Sequence, residues 1–144
     1  MQIERVEKIS QLDKILPMMQ EVHSNSNVYR GKSFAAYIYY CGFNLMFPNQ
    51  FTILVFKDDE IIKGYAIANI GSNQFENHCT IVDAYMTDID EEATKLANEM
   101  LEAWAEENGC IFMETLSNRV GAVYRKYGYE PISEYLRKPI GGVK

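Results

Sequence analysis

The chain opens on an alternation of polar and apolar residues from Gln2 to Glu7, the period of a first strand. From Ser10 the period changes. Leu12, Ile15, Leu16, Met19 and Val22 repeat at three and four residues, and Ser10 followed by Asp13 is close to a capping box, so a helix is expected there. His23 to Lys32 is polar and reads as a loop, after which Phe34, Tyr37, Ile38, Cys41 and Leu45 resume helical spacing. Phe51 to Lys57 and Ile61 to Ile70 are β-branched and aromatic runs joined by a tight turn at Asp58 and Asp59, the pattern of a β-hairpin. A polar loop from Gly71 to Asn77 precedes a further strand from Thr80 to Met86. Its pleat places Ile81, Asp83 and Tyr85 on one face and Val82, Ala84 and Met86 on the other.

The clearest helix spans about Asp90 to Asn108, because Ala93, Leu96, Ala97, Met100, Leu101, Trp104 and Ala105 hold a strict three-and-four repeat, and Gly109 ends it. Ile111 to Leu116 is an apolar strand. Ser117 or Asn118 caps a short helix to Tyr127, Gly128 closes it, and Ile132 to Lys138 is a final strand. The resulting order, β, α, α, β, β, β, α, β, α, β, predicts an α/β (mixed α+β) domain: one mixed sheet with helices on both faces.

Composition fits that picture without enlarging it. At 144 residues, 47% hydrophobic and 24% charged, the chain reads as one globular domain, residues 1–144. Cys41, Cys79 and Cys110 are widely spaced among apolar or small neighbours and read as reduced, buried thiols. His23 and His78 have no partner at ligand spacing, so no metal is expected. Met1 to Arg5 lacks the apolar core of a secretory signal, and no apolar run approaches the ~18 residues of a membrane span, which points to the cytoplasm. A net charge of −6 argues against nucleic acid as partner and would draw a basic amine mildly over long range. Six aromatic residues from Phe34 to Phe47 make either a core-packed helix or an aromatic binding platform.

Several short segments carry a resemblance. Tyr124-Arg125-Lys126-Tyr127-Gly128-Tyr129 resembles the Tyr-x-x-x-Gly-Phe/Tyr segment of the GNAT (Gcn5-related N-acetyltransferase) superfamily. Asn118 matches the Asn that often opens that helix, Gly64-Tyr65-Ala66 matches the glycine that starts the family's third strand, and Trp104-Ala105 with Gly109 resembles the end of its central helix. By element order the resemblance covers nearly the whole chain. The small size and residues His23 to Phe34 are similar to compact, phage-like acetyltransferases.

The resemblance implies an N-acetyltransferase that moves an acyl group from acetyl-CoA to an amine. Acetyl-CoA would lie in a splay between the fourth and fifth strands, with its pyrophosphate on N–H groups at the start of the central helix. Tyr85, Met86 and Thr87 would hold pantetheine and polarise the thioester. Tyr124 occupies the place of the tyrosine that protonates the departing thiolate. Asp83, a carboxylate in an otherwise apolar strand, is the candidate base, with Glu114 in reserve. The acceptor, a small molecule or peptide amine, would be met by the N-terminal helices and loops.

One segment departs from the pattern. The family's phosphate loop reads Gln/Arg-x-x-Gly-x-Gly/Ala, and counting back from Leu101 and Trp104 places Glu92-Ala93-Thr94-Lys95-Leu96-Ala97 there. Only Ala97 conforms; Lys95 stands at the first glycine, Glu92 replaces the cation or amide, and Asp88, Asp90 and Glu91 add charge. Carboxylates also complement a helix N-terminus. Thr94, Lys95, Ala97, Asn118 and Arg119 remain the expected cofactor contacts. The alternative is a GNAT-fold binding or structural protein that has lost CoA.

Overall fold

The computed structural model describes residues 1–25, 32–115, 126–132, 136, 138, 140 and 141. Five strands, β1 (Gln2–Arg5), β2 (Phe51–Asp58), β3 (Ile61–Ser72), β4 (Asn77–Met86) and β5 (Cys110–Thr115), form one sheet in that order. Neighbours run antiparallel except β4 and β5, which are parallel. A parallel pair needs a crossover, and α4 (Glu91–Glu107) supplies it. The other helices, α1 (Ile9–Leu12), α2 (Leu16–Asn25) and α3 (Phe34–Asn44), precede β2.

Each face of the sheet has its own core. On one, Leu54, Phe56, Ala68, Cys79 and Ile81 meet Ala93, Ala97, Leu101 and Trp104 of α4. On the other, Ile53, Val55, Tyr65 and Ile67 meet Leu12, Ile15, Met19 and Cys41. β2 is therefore covered twice, and Phe51 to Phe56 are all buried, so it reads as a continuous apolar run instead of an alternation. Trp104 Nε1 donates to the Pro48 carbonyl at 3.0 Å, tying α4 to the α3–β2 connection.

The structure corrects several local expectations. The single helix expected from Ser10 is two, because Pro17 lacks an N–H and its ring opposes the carbonyl four residues back. The chain restarts with Pro17 in the first turn of α2, where proline is tolerated. The capping side chain of α1 is Gln11, whose Oε1 accepts from the N–H groups of Glu7 (2.8 Å) and Lys8 (2.9 Å), and Asp13 ends that helix. The hairpin turn falls one residue later than expected, with Asp59 at φ 52°. Leu96 is 47% exposed, so the buried stripe of α4 is narrower than its apolar repeat.

α3 buries some of its aromatics and exposes others. Phe34, Tyr37, Ile38 and Tyr40 pack on the helix-side core, while Tyr39, Phe43 and Phe47 form an exposed row with successive ring centroids 6.4 and 5.4 Å apart. Most of the expected last helix and final strand, including Asn118, Arg119 and Tyr124, lies outside the described residues. Among the described residues no helix is long and apolar enough to cross a membrane.

Candidate active site

The site begins with an irregularity in β4. Ile67 pairs with Asp83 and Ala68 with Ile81, so Val82 is an extra residue, a β-bulge. A regular pleat would put Ile81 and Asp83 on the same face. The bulge breaks that parity: Ile81 stays in the α4 core, while Val82 packs on the helix side and Asp83 bonds to residues there. Tyr85, opposite Tyr65, follows Asp83 onto that face. The shared face expected for Ile81 and Asp83 is thus corrected, whereas Asp83 and Tyr85 do share one.

Among the described residues the β4–β5 register runs from Asn77↔Cys110 to Ile81↔Thr115, and Thr115 is the last described residue of that stretch. Asp83 to Met86 pair with Ile67 to Gly64 of β3. Thr87 N–H donates to the Lys63 carbonyl at 2.8 Å, and its hydroxyl does so at 3.1 Å. The alternation of an antiparallel ladder then turns the N–H groups of Met86 and Ala84 away from β3.

Asp83 is held by two tyrosines. The hydroxyl of Tyr37, on α3, donates to Asp83 Oδ2 at 2.9 Å, and that of Tyr65, on β3, donates to the same oxygen at 3.0 Å. Tyr65 is fully buried. Cys41, one turn from Tyr37, is part of the same cluster. Burial first, then the Asp83 charge, push its thiol up to about 12, against a hydrogen bond with Tyr37 that lowers it. A thiol in that state is no nucleophile. Neither tyrosine stood out in the sequence as a site residue, because a ring at a core position gives the same apolar period whether or not its hydroxyl is used.

The other candidates separate. Glu114 is exposed on β5 and aligned with Thr80, three residues before Asp83, so the fold does not bring the two carboxylates together. Met86 packs toward α4, and its Sδ accepts from the Asp90 N–H at 3.3 Å. The window 92–97 compared with the phosphate loop is helical: Thr94 donates its hydroxyl to the Asp90 carbonyl at 2.8 Å, Lys95 lies past the first turn, and Ala97 is buried against the sheet. The N–H groups of Lys95 and Ala97 are spent on the helix ladder.

The helix start itself lies at Asp90, whose Oδ1 accepts from Ala93 N–H at 2.9 Å. The N–H groups of Glu91 and Glu92 are the ones that have no acceptor among the described residues, and both carry carboxylates. Lys126 Nζ lies 3.3 Å from Glu91 Oε1 in a solvent-exposed pair. The helix thus presents N–H donors and negative charge together.

No protein-family model and no curated protein matches the sequence. Solved structures do match. An aminoglycoside 6′-N-acetyltransferase from Acinetobacter haemolyticus is similar with a TM-score of 0.73 at 15% identity, covering 98% of this chain and 100% of that one. An aminoglycoside N-acetyltransferase in complex with CoA matches at a TM-score of 0.69 and 11% identity, over 96% and 93% of the two chains. An integron cassette protein from the mobile metagenome of Cole Harbour salt marsh reaches 0.76 at 14% identity, over 96% and 90%. Over nearly its whole length, the chain has the fold of the GNAT acetyltransferases.

Proposed function

We propose that this protein is an acyl-CoA-dependent N-acyltransferase acting on a small-molecule or peptide amine. The observation that carries the reading is the Val82 bulge, which turns Asp83 toward Tyr37 and Tyr65 while Ala84 and Met86 keep their N–H groups directed away from β3. Two of the similar structures are aminoglycoside acetyltransferases, one of them with CoA, which supports a polar amine as acceptor and CoA as donor.

Acetyl-CoA supplies an acyl group activated as a thioester. The fit of this chain to it is uneven. Ala84 and Met86 would offer N–H groups to the pantetheine, and Glu91 and Glu92 would offer theirs to phosphate, with Lys95 and Arg119 as the candidate cations. The carboxylates of Asp90, Glu91 and Glu92 oppose phosphate at that end. Affinity then rests mainly on the pantetheine arm.

Asp83 receives the acceptor ammonium and takes one proton, directly or through water; the amine nitrogen bonds to the acyl carbon and, as the C–S bond breaks, releases its second proton through water, which balances the one given to sulfur. Tyr124 returns a proton to the departing sulfur. Glu114 is kept as a second candidate base.

The test is twofold. Millimolar acetyl-CoA should raise Tm, as any ligand specific to the folded state must, and should acetylate a member of an amine panel that includes an aminoglycoside, lysine and a peptide N-terminus. Asp83→Asn should slow that transfer by about 10²-fold or more. Absence of both a Tm shift and product would leave the acidic helix start as the decisive feature, and a fold kept without its cofactor.

A further inference from the structure

We infer that Tyr37 and Tyr65 are positioning residues for the acceptor end of the site, clamping Asp83 Oδ2 so that the carboxylate meets a cationic amine in one fixed orientation. The inference rests on the N-acyltransferase reading above. Two hydroxyls from different elements, α3 and β3, converge on a single oxygen at 2.9 and 3.0 Å. With Oδ2 held, the carboxylate plane is set, and so is the direction of Oδ1.

The arrangement is not one that folding requires. The cluster lies against Ile53, Val55 and Ile67 in an otherwise apolar core, where phenylalanines and an aliphatic residue would fill the same space. Burying a hydroxyl is costly unless it is hydrogen-bonded, so three mutually satisfied polar groups gain little over apolar ones. The bulge supplies the second argument. Were the pleat unbroken from Ile81 through Val82, Asp83 would share the α4 face of Ile81 and reach neither tyrosine.

Other titratable groups face the cluster. Cys41 of α3 stays a neutral thiol, pushed up to about 12. His23 of α2 lies with its ring centroid 6.5 Å from that of Tyr37. Tyr85 follows along β4.

Tyr65→Phe and Tyr37→Phe each keep the ring and remove one donor. Carboxyl NMR of Asp83, read on the protein alone, should show its titration midpoint rise by roughly half a unit or more in each variant, because each lost bond stabilised the ionised form. In kinetics, KM for the amine should rise several-fold, KM for acetyl-CoA should hold, and the acid limb of kcat/KM should move up with the NMR midpoint. Tyr39→Phe, on the exposed row, should change none of these. An Asp83 midpoint unmoved in both variants overturns the clamp even if the wild type is active, and so does an equal rise in both KM values, which marks a packing role. A wild type that turns over no amine overturns the reaction and the clamp's purpose, while the NMR titration still separates those two failures.

Discussion

A methyl group built on Gly64 would lie 2.3 Å from the Tyr85 carbonyl oxygen and 2.9 Å from Met86 Cα, both backbone atoms. Gly64 and Met86 face each other where the ladder leaves them without mutual hydrogen bonds, the closer of the two antiparallel spacings. Gly64→Ala must therefore displace β4 just past the bulge. It should cost about 1–3 kcal/mol in urea unfolding and weaken acetyl-CoA as well; unchanged stability would show that β4 has more freedom here than its pairing implies. The sequence marked this glycine by its resemblance to one that starts the family's third strand; it lies inside β3, which begins at Ile61, and the approach of β4 that requires it was not legible. Asp83 was legible, since it breaks an apolar strand. Tyr37 and Tyr65 were not, because periodicity records a ring and not the use of its hydroxyl. Cys41 and Cys79 are fully buried as expected, and burial holds both thiols up to about 12.

At the scale of elements, the start of α4 sets two effects against each other. Glu91 and Glu92 stabilise the helix through its dipole by about 0.3 to 1 kcal/mol each, and they repel phosphate from the same N–H groups. The double variant Glu91→Gln/Glu92→Gln should accordingly lower Tm slightly and tighten acetyl-CoA several-fold at low salt, as calorimetry would read. Tightening without loss of Tm, or loss without tightening, would break the link between the two roles. The order of elements through β5 was readable from periods of two and about 3.6. Two features escaped it. A bulge leaves no trace in an alternating pattern, so the faces of β4 were misassigned after Ile81. Counting back along a helix fixes a face but not where the helix begins, so the phosphate comparison fell on 92–97, inside α4 instead of at Asp90.

The whole molecule is one sheet with a separate core on each face, and β2 belongs to both. α4 lies on one side and α1 to α3 on the other, and β4 serves both: Ala84 and Met86 turn their N–H groups away from β3, and Asp83 reaches Tyr37 of α3. In the proposed reaction, acyl donor and amine would meet at this strand. The most direct measurement is an amide NMR titration with acetyl-CoA. The account predicts that the largest shifts fall on Ala84, Met86, Glu91 and Glu92. No amide shift at millimolar acetyl-CoA, or shifts confined to the β1 edge, would contradict it.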